Sequence, residues 1–153
     1  MALDEAQVVA LYEAVAATRC VEFVDYELYN DPVRVQRLRE CTRAHKVRLI
    51  LSYHNFSYTP GIDFLVDQFL EAERRGADVA MVSVMPRDRA DVLTLLAATD
   101  RADAKTRIPL ISMSMGPLGA VSRMIGGLFG SGLTYGVGES ASAPGQIPLG
   151  DLV

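Results

Sequence analysis

Hydrophobic and polar positions along this chain switch repeatedly between a helical and a strand period. Residues 4–17 place Val8, Leu11, Tyr12 and Val15 at helical spacing, with Asp4 and Glu5 in the first turn, where carboxylates complement the helix dipole. Residues 21–28 read as a strand. Residues 31–45 return to helical spacing, with Pro32 at a first-turn position where its missing N–H costs nothing. Residues 47–53 form a second strand that ends at His54, and a third helix over 61–75 follows Pro60 and stops at Gly76. Val79–Val84 is the third strand, 88–99 a helix and 109–114 a fourth strand. Beyond it the pattern predicts a short helix over 118–129, a strand over 133–137 and a last extended piece near Ala143.

Helices alternating with roughly six apolar strands predict an α/β fold with a parallel sheet in which residues 1–153 form one unit. A doubly wound sheet and part of a (β/α)8 barrel both satisfy the pattern, although a whole barrel normally needs about 250 residues. No fixed-period repeat, low-complexity tract or linker divides the chain. Over 108–138 the only charge is Arg123, a length that would suffice for a bilayer span. Pro109, Pro117 and closely spaced glycines break that stretch into strand-length and short-helix pieces, so buried strands and tight loops are expected and no membrane association.

Composition narrows the function. Half the residues are apolar and 22% are charged, which is globular. Fifteen basic against nineteen acidic residues leave a net charge of −4, without the basic footprint of a nucleic-acid binder. Two cysteines, Cys20 and Cys41, provide neither a disulfide framework nor a zinc set, and with no export signal at the N-terminus they point to the cytoplasm. No metal or nucleotide motif is present, so no cofactor is expected.

Polar side chains concentrate at the C-terminal ends of the strands, the end at which parallel α/β folds bind ligands. The two-residue strand period places Asp25 with Glu27, Ser52 with His54, and Val79 with Met81 and Ser83. His54 closes an apolar strand and is the candidate acid/base group; His45, at a helix C-terminus, is a dipole partner. Asp25 and Glu27 could form an acid/base pair, orient His54, or belong to a buried polar layer; orienting His54 is the favoured role. Arg123 must meet an anion if it is buried, either a substrate carboxylate or an internal partner such as Glu139. Lys46 and Lys105 both precede strands, at the end opposite to His54, so neither can act as an amine nucleophile there.

Several segments share order and spacing with one family. They are Asp25-Tyr26-Glu27-Leu28, Ser52-Tyr53-His54-Asn55-Phe56 with Thr59-Pro60, Val84-Met85-Pro86 and Asp91-Val92-Leu93-Thr94-Leu95-Leu96. Ile111-Ser112-Met113-Ser114-Met115, Ser122-Arg123, Phe129-Gly130-Ser131 and Ala141-Ser142-Ala143-Pro144-Gly145-Gln146 complete the series. Together they closely resemble type I 3-dehydroquinate dehydratase, a (β/α)8 enzyme of the shikimate pathway. The resemblance implies that a lysine forms an imine with the C3 ketone of 3-dehydroquinate and so acidifies C2. A histidine then removes that proton and returns it to the departing water, giving 3-dehydroshikimate. His54 matches that histidine, Arg123 the arginine that binds the substrate carboxylate, and Ser142 and Gln146 polar contacts from the last loop. Met81 falls at the lysine position and cannot form an imine, which implies weak or absent dehydratase activity.

Set against the family, the chain starts after the first two barrel strands and stops before the last helix. The expected fold is therefore an incomplete TIM-barrel-like domain with exposed sheet edges, which homo-oligomerisation or another polypeptide supplying the absent strands would cover. Two alternatives carry different functions: a non-catalytic interaction module of the same fold, or an imine-free lyase or isomerase in which His54 works with Asp25 or Glu27.

Overall fold

The computed structural model describes residues 3–140 and 145–152. Helix α1 spans Glu5–Thr18, β1 Phe23–Glu27, α2 Pro32–His45, β2 Arg48–Asn55, α3 Ile62–Arg74, β3 Val79–Val84, α4 Arg89–Asp103 and β4 Leu110–Ser114. The chain then breaks into short pieces: α5 Gly116–Gly119, α6 Val121–Ile125, a 3-10 turn Gly126–Phe129, β5 Gly136–Val137 and β6 Ile147–Pro148.

Local chemistry sets the helix boundaries. At the start of α1 the Asp4 carboxylate accepts from the Gln7 N–H at 2.8 Å while the Gln7 side chain accepts from the Asp4 N–H at 2.9 Å. Asp31 accepts from the Val33 N–H at 2.8 Å ahead of Pro32, and Asp88 from the Asp91 N–H at 3.0 Å. Left-handed Arg19 and Lys46 end α1 and α2, and Gly76, with φ +85°, turns the chain from α3 towards β3.

The four long strands pair in parallel in the order β1-β2-β3-β4, without reversal. Handed crossovers that always advance in one direction lay every helix on the same side of the sheet. Burial reflects this. Val24, Tyr26, Leu49, Leu51, Ala80 and Val82 pack with Val9, Leu38, Leu65, Phe69 and Leu95 of the four helices. Fully burying a side chain such as Phe69 stabilises by about 1.5–3 kcal/mol. The opposite face forms a separate cluster of Ile50, Val79, Met81, Ile111 and Met113, joined by Phe23 and Tyr135. A doubly wound sheet would carry helices on both faces, so of the two architectures open from the sequence this is the barrel-type arc.

Six strands are present among the described residues, but only four have the apolar character expected of all six. Residues 133–137 contribute just Gly136–Val137, which pairs with Ile147–Pro148 in a separate two-stranded sheet. The single helix expected over 118–129 is instead three short pieces. A Cβ on Gly119 would strike the Ser114 backbone, and this close approach bends the chain back under β4. Ser131 then bridges to Leu110, and the Gly132 N–H donates to the Leu110 carbonyl at 2.8 Å, so residues 131–132 cover the outer edge of β4. Among the described residues no helix is long and apolar enough to cross a membrane.

Candidate active site

The inner face of the sheet opens at the strand C-termini into a cavity of about 260 Å³. Strand register builds it in layers. Asp25 lies opposite Ile50 and then Val79; Ser52 lies opposite Met81 and then Ile111; His54 lies opposite Ser83 and then Met113. The side-chain period of two turns all of these inwards, whereas Leu51, Ala80 and Val82 face the helices.

His54 is held on two sides. Its Nδ1 lies 2.5 Å from Glu27 Oε1 at the end of β1, and its ring stacks on Phe56 with centroids 5.7 Å apart and planes 7° from parallel. The Glu27 hydrogen bond, opposed by burial, raises the His54 pKa above its ordinary value. With Nδ1 engaged, Nε2 is the nitrogen available to a ligand. Asp25 lines the cavity beside it, but its carboxyl does not touch the ring in the way Glu27 does. Burial pushes Asp25 above the usual carboxylate range, against the lowering influence of the Ser52 hydroxyl and the His54 ring. Its Oδ1 is buried without a hydrogen bond among the described residues. Of the two acids, Glu27 is therefore the one placed to orient the histidine.

Met81 reaches the same cavity from β3 and is 6% exposed. Arg123, on α6, is 5% exposed; its Nη1 donates to Met113 Sδ at 2.8 Å and to the Tyr135 carbonyl at 3.4 Å. Burial lowers its pKa, the mark of a cation held among apolar neighbours. Gln146 lines the cavity from the segment before β6. Ser142 lies outside the described residues. The fold thus gathers Asp25, His54, Met81, Arg123 and Gln146 around one space, although they come from five separate elements or loops.

Tyr135 also lines the cavity and was not singled out from the sequence. Its hydroxyl pKa is raised by burial and then by the Asp25 charge. A lone tyrosine between a threonine and a glycine carries no periodic signal. Met113 and Met115 complete an apolar wall with Met81, so the cavity is largely non-polar with a histidine, an arginine and a carboxyl at its margins. That arrangement suits a small oxyanionic molecule bound by Arg123, with proton transfer at His54.

A family model for type I 3-dehydroquinase matches residues 1–153. The chain belongs to the type I 3-dehydroquinase family. It is 51% identical over 152 residues to the 3-dehydroquinate dehydratase of Albidiferax ferrireducens, a match spanning 99% of this chain and 58% of that protein. The 3-dehydroquinate dehydratase of Geobacillus thermodenitrificans is 48% identical over 150 residues, covering 98% of this chain and again 58% of the relative. The crystal structure of the Geobacillus kaustophilus 3-dehydroquinate dehydratase superposes with a TM-score of 0.95 at 46% identity, over 99% of this chain and 59% of that one. A Clostridium difficile type I 3-dehydroquinate dehydratase solved with covalently modified comenic acid superposes with a TM-score of 0.93 at 33% identity, over 99% and 60% of the two chains. The 153 residues thus form a partial (β/α)8 barrel of type I 3-dehydroquinase that spans less than two thirds of these relatives' length.

Proposed function

We propose that this chain carries the proton-transfer and carboxylate-binding part of a 3-dehydroquinate dehydratase site, with weak or no dehydratase activity because the imine-forming position is Met81. The reading is supported most by one observation: Met81, rather than an amine, projects into the cavity shared by His54 and Arg123. In the proposed chemistry the Arg123 guanidinium binds the carboxylate of 3-dehydroquinate, with Ser142 and Gln146 as further polar contacts. His54 Nε2, oriented through Nδ1 by Glu27, removes a C2 proton; as the C1–O bond breaks, the imidazolium protonates the departing hydroxyl, and water leaves. An imine at C3 would make that C2 proton far more acidic. With only the ketone in place, the loss should amount to several orders of magnitude in rate. Cys20 and Cys41 are both free thiols, which suits the cytoplasm as the site of action.

The test is turnover of 3-dehydroquinate, followed by absorbance of the conjugated enone product, for the wild-type chain and for Met81→Lys, each with borohydride trapping and mass spectrometry. The expected result is negligible turnover in wild type, with a trapped adduct and measurable turnover in Met81→Lys. Substantial wild-type turnover without an adduct would instead assign an imine-free mechanism to His54. Silence in both folded proteins, with Arg123→Ala leaving ligand binding unchanged, would favour the interaction-module reading.

A further inference from the structure

Strand β3 brings to the cavity a serine that the proposed dehydration does not use. Ser83 is 3% exposed and lines the same space as His54 and Arg123. In register it lies between His54 of β2 and Met113 of β4. Neighbouring strands run about 5 Å apart, so inward side chains at paired positions are adjacent. From β1 to β4 the inward groups at this end of the sheet run Glu27, His54, Ser83, Met113. Glu27 Oε1 holds His54 Nδ1 at 2.5 Å from the β1 side, which leaves Nε2 on the side of the ring away from β1. On the other flank of Ser83, the buried Arg123 guanidinium donates through Nη1 to Met113 Sδ at 2.8 Å. The hydroxyls of Ser122 and Ser131 are engaged with the backbone of β4. That of Ser83 makes no hydrogen bond among the described residues, His54 included, so turning it towards Nε2 breaks nothing.

We propose that Glu27, His54 and Ser83 act in series as an orienting acid, a base and a nucleophile that hydrolyse small carboxylic esters, with Arg123 facing the oxygen that becomes negative. An acid, a histidine and a serine in that order support acyl transfer on unrelated folds. Ser83 Oγ attacks the ester carbonyl carbon as its proton passes to His54 Nε2. The tetrahedral oxyanion is stabilised by the Arg123 guanidinium, whose burial among apolar neighbours strengthens the attraction. The C–O bond to the alcohol then breaks, the alcohol leaves with the proton from Nε2, and the acyl group stays on Ser83. Water attacks this acyl-enzyme, gives a proton to Nε2, and the C–Oγ bond breaks as Oγ takes that proton back. The net change is ester plus water to acid plus alcohol. Met81, Met113, Met115 and Phe56 give the ester's hydrocarbon part an apolar wall, and about 260 Å³ admits an acetyl or similarly small acyl group. Ester cleavage draws on the same His54 and Arg123 as the proposed dehydration but needs no amine at position 81.

The experiment follows release of nitrophenolate from 4-nitrophenyl acetate by the 153-residue chain and by Ser83→Ala, with acid quenching and peptide mapping by mass spectrometry to locate the acetyl group. The expected result is an initial burst, an acetyl group on Ser83, and a rate lower by about a hundredfold or more in Ser83→Ala. The wild-type rate should rise with pH through the His54 folded-state value, which lies above 6.5. The titratable and charged groups around that ring are Glu27 and Asp25 of β1, Tyr12 of α1, Arg123 of α6 and Tyr135. Mapping the acetyl group on the wild-type chain decides the matter even if Ser83→Ala folds poorly. A rate no greater than that of buffer overturns the assignment. So does an acetyl group carried by His54, a lysine or any residue other than Ser83, or a Ser83→Ala rate equal to wild type. None of these measurements uses 3-dehydroquinate or Met81→Lys, so ester cleavage and dehydration fail separately.

Discussion

Asp78→Ala should destabilise the protein by about 2–4 kcal/mol, more than its place in a turn before β3 suggests. Arg39 of α2 is 7% exposed and donates to Asp78 through Nη1 at 2.5 Å and Nη2 at 2.8 Å. Asp78 also accepts from the Leu49 N–H of β2 at 2.8 Å, so one carboxylate ties α2 and β2 to the start of β3. Removing one partner of a buried ion pair costs about 3–5 kcal/mol. Because the Asp78 side chain is 29% exposed, water can reach part of the stranded guanidinium, and the figure is reduced accordingly. Urea unfolding should give that difference in free energy, and the Tm should fall by roughly 5–15 °C. Arg39→Met combined with Asp78→Leu leaves no buried charge and should recover part of the loss. A cost below about 1 kcal/mol for Asp78→Ala, or a double variant no better than the single one, would refute the reasoning. Burial would raise the Asp78 carboxyl, but Arg39 and the Leu49 N–H outweigh it and lower its pKa below 3.8. The sign follows: the stabilisation is fully present above 3.8 and is lost as pH falls through the lower folded-state value.

Three further outcomes are expected. Glu27→Gln should lower the His54 titration midpoint seen by NMR, and an unchanged midpoint would remove Glu27 from its orienting role. Because the folded His54 pKa lies above 6.5, the contact stabilises fully below that pH and its contribution disappears as pH rises through the folded-state value. Arg123→Ala should weaken calorimetric binding of 3-dehydroquinate by about tenfold or more, with Arg123→Lys only a partial rescue, while equal binding by all three proteins would place the carboxylate elsewhere. Gly119→Ala should cost about 1–3 kcal/mol in urea unfolding, since its Cβ meets the Ser114 backbone and not a movable side chain; a neutral result would contradict that close approach.

Much of this was legible in the sequence where local chemistry and tertiary packing agree. Asp4, Asp31 with Pro32, and Asp88 announce helices that begin within a residue of the expected places. The fourth helix continues past Thr99 to Asp103 because Ala102 packs into the core, which periodicity read only as far as Thr99 could not anticipate. After Ser114 the pattern loses its authority. There glycines permit approaches between segments that are distant in period, and hydroxyl groups of Ser122 and Ser131 hold the backbone of β4 by accepting from the Ser114 and Ser112 N–H groups at 2.9 Å each. His54, Asp25 and Glu27 could be paired from strand parity alone, but the choice of Glu27 as the histidine's partner needed the stagger between β1 and β2. Tyr135 had no signal to read, and the meeting of Arg123 with Met113 depends on the fold of α6.

The one-sided distribution of helices separates inheritance of the scaffold from variation of the chemistry. In β3, Ala80, Val82 and Val84 belong to the helix-facing core, while Met81 and Ser83 line the cavity. Substitutions at alternate positions of one short strand therefore answer to different demands: a change at 80 or 82 is judged by how helices pack, and one at 81 or 83 by what the cavity can hold. A lineage can exchange a reactive group for an inert one of similar length at such a position and keep its architecture. A chain like this one can consequently stay recognisable across its full span while the reactivity of its interior drifts.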